Sequence, residues 1–291
     1  MLSSDPLPLT GRFLPALLLL AALSVSGAGA QGVARAEESS WIKATDSKVR
    51  LIGGTLDVQG QDTILAGVQI RMDAGWKTYW RNPGDSGVPP SFDWSGSKNL
   101  KHAEVLYPAP RRFADAAGAA IGYVDEVVFP VKITPERPGA PVELKLNLTY
   151  GLCKDLCIPN EVSLSLALPS GQAEGQGEAP LLKRFLDLVP KPAEAGALPA
   201  VSGVQAKLDG PQPQIAIDTQ FPADAQGGDL FIEAGDAFVP VPKPAGPLAD
   251  GKQRFIATFD SAAEAAKIKG KPLTLTLVYD GGARATTWTV E

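Results

Sequence analysis

Between Val142 and Tyr150 the sequence Val-Glu-Leu-Lys-Leu-Asn-Leu-Thr-Tyr alternates apolar and polar residues, which places Val142, Leu144, Leu146 and Leu148 on one face. A period of two is that of a β-strand with one buried face, and a helix cannot bury residues in that order. Val68, Ile70 and Met72 alternate in the same way with Gln69, Arg71 and Asp73, and Val49 to Ile52, Tyr123 to Ile133 and Glu161 to Leu168 also read as strands. Asn82-Pro83-Gly84 and Pro89-Pro90 predict turns, Phe92 and Trp94 begin a short strand, and Val105 to Pro110 reads as an edge strand stopped by prolines. The segment from Arg111 to Gly122 reads as an irregular loop rich in Ala and Gly.

The second part of the chain repeats the pattern more faintly. Residues 170–199 form a linker, polar and flexible over Ser170 to Glu178, with a short amphipathic helix predicted from Pro180 through Leu181, Leu182, Phe185, Leu186 and Leu188 to Pro190. Short β-runs follow at 214–218, 229–233, 254–259, 273–279 and 286–290, interrupted by a predicted helix over Asp260 to Lys269 capped by Asp260 or Ser261. The expected fold is all-β: two immunoglobulin-like β-sandwiches over residues 37–169 and 200–291, joined by the linker with its short helix. The second, smaller sandwich has no cysteine or histidine, and its expected role is spacing or docking.

At the amino terminus a polar segment with Arg12 leads into the apolar block Phe13 to Leu23 and then into small residues, the pattern of a secretory signal peptide over residues 1–36. Cleavage after Ala36 leaves the acidic Glu37-Glu38 start; cleavage after Ala30 is the alternative. The expectation is a periplasmic protein without stable membrane insertion, since no later segment approaches the roughly 20 apolar residues of a membrane helix. Removal of the leader takes the net charge from -5 to -6, which argues against nucleic acid as a partner. The lone His102 leaves no histidine pair for zinc and no Cys-His nucleophile, and no metal or cofactor is expected.

Both cysteines, Cys153 and Cys157, lie in the connection between the Val142 strand and the Glu161 strand. Four positions span about 13 Å of extended chain, whereas a disulfide needs Cα atoms roughly 4.4–6.8 Å apart, so the pair closes only across a helical turn or a tight loop. In the chain-entropy model such a small loop contributes about 2 kcal/mol against about 4.7 for a loop of a hundred residues, which makes it a poor staple. The residues alone leave three readings open: redox exchange, an inert disulfide in a binding module, or a Cu(I) dithiolate of copper tolerance. Lys154 and Asp155 offset each other as neighbours of the sulfurs. Tyr150 and Asp155 are candidates for proton handling or hydrogen bonding there.

Three blocks, Gly75-Trp-Lys-Thr-Tyr-Trp-Arg-Asn-Pro-Gly-Asp-Ser-Gly-Val-Pro-Pro90, Gly122-Tyr-Val-Asp-Glu-Val-Val-Phe-Pro-Val131 and Tyr150-Gly-Leu-Cys-Lys-Asp-Leu-Cys-Ile-Pro159, resemble the amino-terminal periplasmic domain of DsbD-type thiol:disulfide interchange proteins, nearest the ScsB-like branch. The resemblance covers roughly Val49 to Leu168 and implies a cysteine pair that passes two electrons. It implies that Cys157 exchanges sulfur with the partner and that Cys153 resolves the mixed disulfide. It also implies a cap over the pair, for which Arg112 to Gly122 with Phe113 as lid is the counterpart, supported by Tyr123. Implied partners are thioredoxin-like exported proteins and a separate membrane electron donor. The spacing of three residues between the cysteines departs from the best-known DsbD domains, which have more.

Overall fold

The structure, a computed structural model, describes residues 38–58, 61–115, 118–169, 177–246 and 250–290. The predicted leader with its cleavage positions, and most of the polar stretch after Pro169, lie outside the described residues. Residues 35–291 form one compact unit. Its chain order is β1 (Ile42–Ala44), β2 (Ser47–Val58), β3 (Gln61–Met72), β4 (Lys77–Gly84), β5 (Ser91–Asp93), β6 (Leu100–Val105), β7 (Arg111–Asp115), β8 (Gly118–Val124), β9 (Glu126–Pro135), β10 (Val142–Cys153), β11 (Cys157–Leu168) and α1 (Ala179–Leu186). There follow β12 (Lys191–Pro192), β13 (Ala200–Lys207), β14 (Gln214–Gln220), β15 (Asp229–Glu233), β16 (Lys243–Pro244), β17 (Lys252–Thr258), α2 (Ala262–Ala265), β18 (Pro272–Tyr279) and β19 (Gly282–Thr289).

The fold is all-β, with two immunoglobulin-like sandwiches. In the first, sheet β1-β2-β3-β9-β6 faces sheet β11-β10-β4-β8-β7, with β5 added on β10. The alternation read from β10 holds: Val142, Leu144, Leu146, Leu148, Tyr150 and Leu152 enter the core between the sheets with Val68, Ile70 and Phe129. Lys145, Asn147 and Thr149 point the other way and are exposed. In the second, β12-β19-β18-β15 faces β13-β14-β17-β16 around a core of Ile217, Phe255, Leu275 and Leu277.

Several elements differ from expectation, each for a tertiary reason. β4 continues through Asn82-Pro83-Gly84, where turns were predicted; its pairing with β8 shifts register between Tyr79 and Gly84, so the proline sits in an irregular stretch of ladder that needs no donor from it. Residues 111–115 and 118–122 pair as antiparallel strands, β7 and β8, rather than forming an irregular loop, with Phe113 opposite Ala120 and Ala114 opposite Ala119. The edge strand lies at Leu100–Val105, ahead of the prolines instead of running into them. β13, an edge strand with little burial, carries too weak an apolar pattern to be foreseen. The predicted 260–269 helix is a single turn, α2, followed by a 3-10 turn at Ala266–Ile268; Ser261 rather than Asp260 supplies the cap, its hydroxyl accepting from Glu264 N–H at 3.2 Å.

Helix α1 does not hang in a linker. Leu182 and Phe185 join the first core, and Glu126 on β9 fixes the polar side. Its Oε1 accepts from Gln69 Nε2 at 2.6 Å and Arg71 Nε at 2.7 Å, and its Oε2 accepts from Arg184 of α1 at 2.8 Å. Burial by itself would raise the Glu126 pKa, but these donors outweigh it and hold the carboxyl below its ordinary value of 4.5. A depressed carboxyl stabilises the fold above its unfolded pKa and loses that contribution as pH falls through the folded value. Glu126→Gln should therefore lower the thermal midpoint near pH 7, with the gap to the parent chain closing on acidification below about pH 4.5. Midpoints from a pH series of melts check this; a gap independent of pH would rule out the ionised carboxylate as its source.

Candidate functional site

Period two decides where the sulfurs go. The even residues of β10 fill the core, so Cys153 falls on the outer face of its sheet. It lies opposite Cys157 in the β10–β11 hairpin, the two Cα atoms 4.1 Å apart and the sulfurs joined, with Lys154-Asp155-Leu156 as a three-residue loop. The expected tight-loop closure is thus a cross-strand bridge at a hairpin tip.

The two sulfurs have unlike surroundings. Cys153 is 2% exposed, in a small outer cluster with Tyr79 of β4 and Ala120 of β8, against which the half-buried Phe113 of β7 packs. Cys157 is exposed. Register accounts for the cluster: Cys153 opposes Lys77, Tyr79 is two residues on and opposes Gly122, and Phe113 opposes Ala120. All of these therefore share one face of the sheet. Above the Tyr79 ring runs the 85–90 segment. Gly87, at φ +122°, leaves no room for a side chain, since an added Cβ would strike that ring. An added Cβ on Gly151 would meet Val88 at 3.2 Å and Tyr79 at 3.3 Å. The segment is fastened to the β7–β8 hairpin by Asp85, whose N–H donates to Ala119 O at 2.9 Å and whose Oδ2 accepts from Ala119 N–H at 2.8 Å.

Tyr79 was not singled out from the sequence, where it stood within the block Gly75 to Pro90. Its hydroxyl lies 3.5 Å from Cys157 Sγ, a contact that depends on which face β4 turns toward β10. Tyr150 and Tyr123, by contrast, belong to the main core, on the opposite face from the sulfurs. The Tyr150 hydroxyl pairs with Ser47 Oγ at 2.7 Å, and Tyr123 donates to Pro108 O at 2.8 Å. Burial pushes the Tyr123 pKa well up and that of Tyr150 up despite the Ser47 bond, so both stay protonated and serve packing. Asp155 is exposed at the loop tip. Lys154 reaches back to donate from Nζ to Ala74 O at 3.5 Å, so its ammonium is drawn away from the loop. Leu156, the residue before Cys157, is 71% exposed, and Val88, beside Gly151, is 50% exposed.

A hydroxyl donor stabilises a thiolate and lowers its pKa. Tyr79→Phe in the reduced chain should shift the pH profile of Cys157 alkylation upward and slow the reaction a few-fold at neutral pH, with the melting temperature little changed. An unmoved profile would show that the contact is packing alone.

Among the described residues no group of three or more His, Cys, Asp or Glu side chains could hold a metal ion, and no helix is long and apolar enough to cross a membrane. The family model described as "Thiol:disulfide interchange protein DsbD, N-terminal" matches residues 54–169. No curated protein matches the chain. The crystal structure of the N-terminal periplasmic domain of ScsB from Proteus mirabilis superposes with a TM-score of 0.66 at 21% identity, covering 87% of this chain and 98% of that one. At that identity the likeness is one of fold, and it extends over both sandwiches.

Proposed function

We propose that the chain, whose residues 54–169 match the model of DsbD amino-terminal domains, is a periplasmic carrier of two electrons whose Cys153–Cys157 pair reduces the disulfides of thioredoxin-like exported proteins. The observation that supports this reading best is the asymmetry of the bridge, one sulfur buried beside Tyr79 and Phe113 and one open to solvent. A staple needs no exposed sulfur; an exchanging pair needs one attacker and one protected resolver.

In the reduced chain the Cys157 thiolate attacks a sulfur of the partner disulfide. The partner S–S bond breaks, and the departing partner thiolate takes up a proton. The Cys153 thiolate then attacks Cys157 Sγ, forming the intramolecular bridge and releasing the second partner thiolate, which is protonated in turn. Two electrons have moved, the partner is a dithiol, and the Cys153–Cys157 disulfide is restored to its reduced form by a dithiol donor, membrane-embedded or thioredoxin-like. The boundaries proposed for the division of labour are those of the sequence reading: exchange in 37–169, connection in 170–199 and the smaller sandwich in 200–291.

Trapping tests the reading. In a Cys153→Ser chain the resolving step is lost, so Cys157 should accumulate a mixed disulfide with a discrete exported thioredoxin-like protein, released by reductant. Absence of any adduct, together with a native bridge that resists thioredoxin-like dithiols, would leave the bridge as a hairpin staple.

A further inference from the structure

The bridge lies in a row of outer-face positions that crosses four strands. Cys157 of β11 opposes Cys153 of β10, Cys153 opposes Lys77 of β4, and Lys77 opposes Val124 of β8. Residues opposed in antiparallel strands share a face, with Cβ atoms about 4.5–5.5 Å apart, so the lysine stem starts beside the buried cysteine. Lys77 is half-buried on a strand with neighbours on both sides, a place where lysine is disfavoured. In the exchange reading a dithiol donor restores the reduced pair, and the sulfur open to it is Cys157. Attack of the donor thiolate on Cys157 Sγ breaks the bridge, and Cys153 leaves with the electron pair as a thiolate. The donor's second thiolate then attacks the donor sulfur bonded to Cys157 and releases the Cys157 thiolate. The donor becomes a disulfide, and the two thiolates take up the protons its thiols released. In the forward reaction the Cys153 thiolate is the resolving attacker. Both directions therefore pass through a thiolate that is 2% exposed among Tyr79, Ala120 and Phe113, and burial of this kind raises a thiol pKa.

We propose that Lys77 stabilises the Cys153 thiolate, so that a cation placed by strand register keeps the buried sulfur competent both as resolver and as leaving group. This rests on the exchange reading for its biological meaning, but not for its test. An opposite charge within about 4–6 Å lowers the pKa of an acid by about one to three pH units, enough to offset burial. The other charged groups around Cys153 are engaged or farther off. Lys154 of its own turn donates to Ala74 O, Asp155 is exposed at the tip, and Asp85 accepts from Ala119 N–H. On β7, Arg111 opposes Gly122, two strands from Cys153, and Asp115 is the last residue of the strand. On β11, Glu161 follows Cys157 by four residues. The outer-face residues of β8 are Ala120, Gly122 and Val124, and Tyr79 on β4 directs its hydroxyl to Cys157 Sγ. Lys77 is thus the cation that register sets directly beside the buried sulfur.

The experiment titrates Cys153 alone. In the purified Cys157→Ser chain it is the sole thiol, and its ultraviolet thiolate absorbance is followed against pH, with the chain lacking both cysteines as the blank. Adding Lys77→Met should move the midpoint up by about one pH unit, a roughly tenfold smaller thiolate fraction at neutral pH. Lys77→Arg should restore the original midpoint, which a role in packing alone would not predict. Lys145→Met, on the same strand and eight positions from Cys153, should leave it unmoved. In the chain with both cysteines, Lys77→Met should slow reduction of the bridge by dithiothreitol a few-fold near neutral pH, because the poorer leaving group departs more slowly. A midpoint unmoved by Lys77→Met would overturn the proposal, as would a rise that Lys77→Arg does not reverse, or a larger rise in Lys154→Met. If Lys77→Met fails to fold, Lys77→Gln carries the same comparison. Failure of the exchange reading would appear separately, as absence of the Cys153→Ser adduct while these midpoints move as stated.

Discussion

Cys157→Ser should abolish reduction of a thioredoxin-like partner, by at least about three orders of magnitude, the scale on which enzymes fail when a nucleophile is removed. Under the proposed roles the exposed sulfur is the one a partner disulfide can approach, whereas Cys153, 2% exposed, cannot present a lone pair to it. Cys153→Ser should behave differently: the first attack survives and the reaction halts after one event at the mixed disulfide. Stopped-flow measurement of partner thiol release separates the two, with no burst from the first variant and a single half-turnover from the second. If Cys157→Ser reacted through Cys153 at the parent rate, the burial asymmetry would carry no functional weight.

Trp80→Ala should be the most damaging single change to stability away from the cysteines. The side chain is fully buried between the first core and Phe231, with the Arg81 guanidinium 4.5 Å from its ring centre. Truncation of a buried Trp to Ala costs about 3–5 kcal/mol, a large share of the 5–15 kcal/mol that holds a typical domain together. Because the cavity would open at the joint between the sandwiches, urea unfolding should begin at lower concentration. Trp80→Phe should cost far less, about 1 kcal/mol or below, because the indole Nε1–H has no hydrogen-bond partner and its removal lifts a penalty of about 1–3 kcal/mol while most of the apolar volume remains. Equal losses in the two variants would show that the indole N–H is satisfied after all.

The most legible strands were β10 and β11, because burial on one side only writes period two into the residues; β3 also read as a strand, but its second face lies under α1, where Gln69 is buried and Gly67 abuts Leu182. β4 was less legible: Thr78, Tyr79 and Trp80 are all buried, one face by the core and the other by the 85–90 segment, so no alternation shows. The same double burial concealed Tyr79 as a neighbour of the exposed sulfur. Phe113 could be named as lid from the resemblance, yet its hairpin read as irregular because Ala and Gly on β8 are small for the sake of close packing rather than for a turn. Arg112 opened the cap segment in the sequence reading, but its partners lie more than a hundred residues away.

By itself the sequence determined that the chain is built of strands and that its two sulfurs share one short bend, because alternation and spacing are local properties. Tertiary structure alone decided which sulfur faces water, which tyrosine reaches it and which strand of the second sandwich Arg112 meets. Those outcomes depend on register across sheets and on contacts between segments far apart in the chain, and no local pattern of residue types records them.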